Sequence, residues 1–325
     1  MKIIALFNNK GGVGKTTYLY HLAHLLSSNG KKVLMVDCDS QCNLTAYALD
    51  DETIDHCWKN KKNSIYQVIQ NVERGMGDIS HVPPEKIKDN LFLVPGDLLL
   101  SNYEDNLGES WTRALGGAES SLRMQSAIYR YIKWAAEEIS AEIVLVDLGP
   151  NLGTLNRAVL GGCDYFIVPI APDLFSIRGT ENLGNKLVLW RKEWELCNDR
   201  NTNDVEIPKG RPAFLGYVMQ QHTLRKNKEG MTKGWSIFGD ELRKAVQKNL
   251  YNKLAPIDQV VTNDDGNDLE LDKIPNLHSL IPYSLSAGKP IFECVSSDGL
   301  TGAHITTARE SVKYFTKGQK KILSL

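Results

Sequence analysis

Asn8-Asn9-Lys10-Gly11-Gly12-Val13-Gly14-Lys15-Thr16-Thr17 decides how the rest of the chain is read. A short apolar run, residues 2–8, leads into it. The stretch leading out carries apolar residues at Leu19, Leu22, Ala23 and Leu26, a helical spacing, and Gly30 follows as a stop. A glycine-rich loop between a strand and a helix can turn several backbone N–H groups toward one centre. Without β-carbons those groups approach phosphate oxygens closely, and the helix N-terminus adds partial positive charge. In that setting Lys15 reaches β- and γ-phosphates, and the Thr16 hydroxyl suits a Mg²⁺ ion. Gly11, Gly12, Val13, Gly14, Lys15, Thr16 and Thr17 are therefore the predicted nucleotide cradle. The competing reading is a plain glycine-rich turn, which leaves the Lys-Thr pair between strand and helix without a reason.

Working outward, short continuous apolar runs at residues 32–37, 91–95, 143–147, 165–170 and 214–219 alternate with helical stretches, a long one at 122–139. This pattern predicts an α/β fold: a mostly parallel, twisted sheet with helices on both faces. Over 325 residues, 42% apolar and 24% charged is ordinary globular composition and excludes extensive disorder. Lys and Arg number 38 against 39 Asp and Glu, a net charge of −1, which excludes a basic coat but leaves room for a local basic patch. No apolar run approaches the roughly 18–20 residues of a membrane helix. Cysteines at 38, 42, 57, 163, 197 and 294 form no CxxC pair, so a reduced, cytosolic protein is expected. Nothing divides the chain convincingly. One domain over 1–325 is predicted, with surface insertions at about 50–63, 197–211 and 262–272, the last an acidic loop.

Three acids follow apolar strands. Val33-Leu34-Met35-Val36-Asp37-Cys38-Asp39 sets two of them at a strand end, and Ile143-Val144-Leu145-Val146-Asp147 sets the third. Open α/β sheets bind ligands beyond the carboxyl ends of their strands, so Asp37, Asp39 and Asp147 point toward the phosphate region. Asp147 reads as an acid that holds Mg²⁺, usually through water.

The loop departs from the ordinary phosphate-loop pattern, which has glycine where Asn9 stands. Lys10-Gly-Gly-Val-Gly-Lys15-Thr-Thr, with a second lysine at its start, resembles the deviant Walker A loop of the ParA/MinD group of P-loop ATPases, most like the ParA partition ATPases. Asp37 to Thr45 resembles that group's Asp-x-Asp-Pro-Gln-x-x-x-Thr motif, with Ser40 where proline is usual. Asp147-Leu148-Gly149-Pro150 resembles its Asp-x-Pro-Pro element, Gly149 being the departure, and Asn151-Leu152-Gly153 resembles its switch segment. The likeness continues at 93–98, 164–173, 280–290 and 298–309, covering nearly the whole chain.

The resemblance implies a P-loop NTPase fold of SIMIBI type, with ATP and Mg²⁺ as ligands. It implies a homodimer on ATP binding, in which Lys10 reaches the phosphates held by the partner. Lys10, Lys15 and Asp39 form the implied catalytic set, Asp39 orienting the attacking water. Thr16, Asp37 and Asp147 surround Mg²⁺, directly or through water. Adenine falls near Gln220 or Gln221 and Pro282. From the residues alone Lys10 is either a solvated lysine or a charge donor to a transition state; the resemblance selects the second.

Two basic stretches suit DNA phosphates or, equally, a solvated face. Arg225, Lys226 and Lys228, with Lys233, read as a loop after a strand, and Lys317, Lys320 and Lys321 lie near residue 325. The implied function is a weak, partner-stimulated ATPase that binds duplex DNA nonspecifically in its ATP state. It would partition a plasmid or chromosome with a ParB-like centromere-binding protein, in the cytoplasm on the nucleoid. The alternatives are a MinD-like membrane-surface switch and a P-loop amide-forming synthetase. Against the first, residues 317–325 are short, interrupted by Gly318, and lack an aromatic anchor.

Overall fold

The apolar run before the glycine loop is a central strand of the sheet: β1 (Lys2–Leu6) lies between β5 (Ile143–Leu148) and β6 (Tyr165–Ile170), parallel to both. The computed structural model describes residues 1–222, 231–261, 269–277 and 279–325, with the side chains of 221–222 and 231–237 left aside. The other strands are β2 (Val33–Cys38), β3 (Glu85–Lys88), β4 (Leu91–Val94), β7 (Ala213–His222) and β8 (Glu270–Pro275). Among the described residues they form one sheet in the order β3-β4-β2-β5-β1-β6-β7-β8. Each pairing is parallel except that of β3 with β4.

Alternation along the strands splits the core into two layers. Ile3, Ala5 and Phe7 face one apolar cluster with Leu34 and Val36; Ile4 and Leu6 face the other with Val33 and Met35. The second layer is covered by α1 (Lys15–Ser28), whose Tyr18, Leu19, Leu22 and Leu26 are buried there. The chain continues through α2 (Asn43–Ala48), α3 (Asp51–His56), α4 (Ile65–Glu73), α5 (Leu100–Leu115), α6 (Glu119–Glu138), α7 (Thr154–Gly161) and α8 (Leu174–Asp199). The remaining helices are α9 (Met231–Val246), α10 (Asn252–Leu254), α11 (Ile281–Ala287), α12 (Ala303–Glu310) and α13 (Thr316–Leu323). Helices α4 to α8 supply much of the first layer, and α13 packs with α1 in the second.

Several expectations change. The helix expected over 122–139 runs from Glu119 to Glu138. The surface stretch 50–63 carries helical structure: the Asp50 side chain accepts from Thr53 N at 2.8 Å and starts α3, and a π-helical turn, Cys57–Lys61, follows. Trp58 Nε1 in that turn donates to Gly96 O at 2.9 Å, closing the segment over the end of β4. Within 197–211, Val205 is buried in a small cluster with Trp111 and Trp194. The expected loop 262–272 ends in strand, because Glu270, Leu271 and Asp272 belong to β8; residues 262–268 lie outside the described residues. Leu271, Asp272, Ile274 and Pro275 of this edge strand are buried, and only Glu270 and Lys273 keep exposure, so its polar reading comes from a buried acid and two charged residues at the edge.

The C-terminal helix is tied into the core. Asp272 accepts hydrogen bonds from Tyr18 Oη at 2.6 Å, Gly318 N at 2.9 Å and Lys317 N at 3.1 Å. Gln319 Nε2 donates to Leu25 O at 3.1 Å, and Ile322 is buried. Of the tail's apolar residues considered for membrane attachment, Ile322 is thus buried in the second layer and Leu323 is exposed. Among the described residues no helix is long and apolar enough to cross a membrane.

Candidate nucleotide site

A cavity of about 600 Å³ opens at the carboxyl ends of the strands. The loop Gly11 to Thr17 forms one wall, with Asp39, Tyr47 and Pro150 beside it. Gln220, Pro275, Leu277, Pro282 and Phe315 form the other. Gly12 and Gly14 have φ of 70° and 75°, the left-handed region open to glycine at low cost. Gly14 is the N-cap of α1, and no side chain caps that helix. Its N-terminus therefore faces the cavity as an anion site. Lys15 is buried; burial lowers its pKa, against the opposing pull of Asp147 and Asp39.

Asp37 and Asp147 stand opposite one another in the β2–β5 register. Thr16 Oγ1 donates to Asp147 Oδ2 at 2.6 Å, while Asp147 Oδ1 is buried with no hydrogen-bond partner among the described residues. Burial and then Asp37 push the Asp147 carboxyl up to about 7, against Thr16 and Lys15. A bare buried oxygen beside a hydroxyl fits a divalent cation, which would give that oxygen its missing partner and keep the carboxylate ionised. Asp37 is differently placed. Its Oδ2 accepts from Thr45 Oγ1 at 2.7 Å and Thr45 N at 2.9 Å, and its Oδ1 from Asp39 N at 3.2 Å. Burial raises its pKa to about 6 despite these bonds. It anchors the turn that presents Asp39. Asp39 lines the cavity, and its Oδ1 accepts from Gln41 N at 3.0 Å.

The structure thus gathers Gly11 to Thr17, Asp39, Gln220 and Pro282 around one cavity, with Asp147 behind Thr16 and Asp37 behind Asp39. Gln220 Nε2 donates to Gly14 O at 3.4 Å, so its carboxamide abuts the loop itself. Lys10 does not line the cavity: its Nζ lies 2.5 Å from Asp173 Oδ2 and 3.4 Å from Ser176 Oγ, at the start of α8. Arg225, Lys226 and Lys228 lie outside the described residues. Lys233, expected in a loop, belongs to α9. Lys317 Nζ donates to Glu270 O, and Lys320 is exposed on α13. Sequence reasoning missed Tyr18, Tyr47, Leu277 and Phe315 as cavity walls. Tyr18 had a signal, since it follows Thr17 directly; Phe315, stacked on it at 5.7 Å, had none.

A family profile described as an AAA domain, AAA_31, matches residues 1–199. The sporulation initiation inhibitor protein Soj of Bacillus subtilis is 27% identical over 192 residues, 59% of this chain and 66% of Soj. The chromosome partitioning protein ParA of Caulobacter vibrioides is 27% identical over 187 residues, 56% of this chain and 61% of that protein. The chain thus spans less than two thirds of the length of these relatives. The structure of Cyanothece McdA in complex with ATP superposes with a TM-score of 0.65 at 17% identity, over 100% of this chain and 97% of McdA, a likeness of fold. The chain belongs to the AAA_31 family of AAA domains and is a P-loop ATPase of the ParA/MinD type.

Proposed function

We propose that the protein is a ParA-type switch that binds ATP with Mg²⁺, dimerises in that state and hydrolyses ATP slowly until a partner accelerates it. The dimer holds duplex DNA nonspecifically, on the nucleoid, and partitions a DNA cargo with a ParB-like protein. The observation that carries the reading is the Thr16–Asp147 pair with its bare buried oxygen, set under a glycine loop whose lysine is already desolvated. The likeness to a chromosome partitioning protein and to a fold solved with ATP supports it.

In this reading the loop N–H groups and Lys15 bind and orient the phosphates. Thr16 and Asp147 would hold Mg²⁺, which neutralises charge between β- and γ-phosphate when bound. Asp39 accepts a hydrogen bond from the attacking water and aims it; Asp37, through the Asp39 N–H, holds that turn. Lys10 leaves Asp173 to reach the partner's nucleotide.

Co-sedimentation with duplex DNA, with ATP, ADP or neither, tests the reading. Retention should require ATP and fall steeply between about 50 and 200 mM salt. Charge reversal at Lys320 and Lys321 should weaken retention and leave nucleotide affinity unchanged. Binding to anionic liposomes without DNA retention would replace this reading with the membrane switch; the buried Ile322 of α13 argues against that outcome.

A further inference from the structure

The segment that follows Asp147 is held from two sides by groups that belong to neither the phosphate loop nor the acids. Asn156, on α7, is buried, and its Nδ2 lies 2.9 Å from Gly149 O, 2.9 Å from Asn151 O and 2.9 Å from Asn151 Oδ1. Asn151 Oδ1 also accepts from Gly153 N at 2.8 Å. From the other side, Glu104 on α5 brings its carboxylate against Gly153 at the start of α7, beside the Thr154 and Leu155 backbone and the Asn151 side chain. Thr154 Oγ1 returns a hydrogen bond to Glu104 O at 2.9 Å. The fit at Gly153 is closed: a β-carbon there would overlap Glu104 Oε1.

The held segment touches the candidate chemistry at both of its leading residues. A β-carbon at Gly149 would lie 3.4 Å from Asp39 Oδ1, and the Pro150 ring would lie 3.8 Å from a β-carbon at Gly11. Gly149 and Pro150 are therefore packed between the acid and the loop, and their backbone position is set by Asn156. Asn156 is buried with its Nδ2 committed to three acceptors of this one segment, and Glu104 is half-buried against it, so the arrangement favours one loop conformation.

We propose that Asn156 and Glu104 are positioning residues of the nucleotide site, fixing the Gly149–Gly153 segment against Asp39 and Gly11 so that the γ-phosphate side of the site is pre-formed. The proposal rests on the reading of the cavity as an ATP-hydrolysing site. Neither side chain lines the cavity, so neither contacts nucleotide. Their effect falls on turnover rather than on affinity for ADP, which lacks the γ-phosphate. An ångström-scale displacement of a catalytic loop costs about ten- to a hundredfold in rate.

The test uses the full chain with Asn156→Ala, Glu104→Ala and Glu104→Gln, each read three ways. First, amide hydrogen exchange without nucleotide: Asn156→Ala and Glu104→Ala should speed exchange at Gly153, Thr154 and Leu155, a result independent of any activity. Second, affinity for a fluorescent ADP analogue should stay within about twofold of wild type, since the phosphate loop is untouched. Third, single-turnover hydrolysis of ATP should fall by about tenfold or more in both alanine variants. Glu104→Gln keeps an acceptor for the α7 N–H groups and should recover most of the rate. Wild-type exchange in both alanine variants overturns the proposal, and so does wild-type turnover in both. Equal loss of ADP affinity and turnover overturns it as well, because that is the signature of general destabilisation. If the wild-type protein itself fails to bind or hydrolyse ATP, the functional reading fails, while the exchange result still decides whether these residues hold the segment.

Discussion

Lys10 and Asp173 are 163 residues apart in the chain and joined by a 2.5 Å ion pair. Asp173 is also the N-cap of α8, its Oδ1 accepting from Ser176 N at 3.0 Å. Burial pulls its carboxyl upward, but Lys10 and Ser176 prevail and hold it below the usual aspartate value. One carboxylate therefore starts a helix and holds the first lysine of the loop within its own chain.

Releasing that lysine should favour a second copy. Asp173→Asn keeps a helix cap and removes the charge. The pair is partly exposed, so it contributes only about 0–1 kcal/mol. Sedimentation velocity with ATP and Mg²⁺ should show self-association tightened by about two- to fivefold. Weaker association would mean that Asp173 itself belongs to the interface.

Lys15→Ala should lose the affinity for a fluorescent ATP analogue by about 30-fold or more, the scale of a charge-assisted hydrogen bond to phosphate. The variant should remain folded, because the buried lysine is already desolvated at a net cost in the free protein. Unchanged affinity in the titration removes the loop from the nucleotide site.

Asp272 supplies a pH signature away from the phosphate loop. Burial pushes its carboxyl from 3.8 up to about 6, against the hydrogen bonds from Tyr18, Gly318 and Lys317 and the charge of Lys317. Tyr18 is raised well above its usual value and stays neutral throughout. Lys313, Lys273 and Glu270 complete the charged surroundings. The folded value exceeds the unfolded one, so between about pH 4 and 6 the native state binds more protons. Stability from this group is present below pH 4 and is lost as pH rises through 6. Asp272→Asn does not titrate. Its deficit relative to wild type, measured by urea unfolding, should shrink by about 1–3 kcal/mol from pH 4 to 7.5. A deficit that grows with pH would show that the carboxylate's hydrogen bonds outweigh its burial.

Two glycines should respond to a different degree. A β-carbon at Gly318 would overlap Tyr18 Oη and Asp272 Oδ2, so Gly318→Ala should cost about 1–3 kcal/mol. At Gly149 the nearest atom is 3.4 Å away, an ordinary contact, and Gly149→Ala should change stability by less than about 1 kcal/mol. Thermal unfolding of the two variants side by side decides; equal losses would contradict the packing described for α13.

The phosphate loop, the parallel strands and the acids at their ends were legible because each is a local pattern. Continuous apolar runs mark buried parallel strands, and the glycines mark the turn between β1 and α1. Strand β8 was hidden because Glu270, Asp272 and Lys273 look like loop in a linear reading. Helix α3 was hidden by its charge, although Asp50 three residues before Thr53 is a capping signal. The ties of Lys10 to Asp173, Tyr18 to Asp272 and Asn156 to Gly149 were out of reach for another reason. They depend on which elements the fold brings together, and no short-range spacing encodes that.

The bonds of one edge-strand carboxylate to Tyr18 and to the start of α13 decide how the outer edge of the sheet is held. The β7–β8 ladder breaks register between Tyr217 and Val218 and again between Met219 and His222. Asp272 supplies an anchor that backbone pairing alone does not. The place of β8 in the sheet is then set by its tie to α1 and α13 and not by the length of chain that joins it to β7.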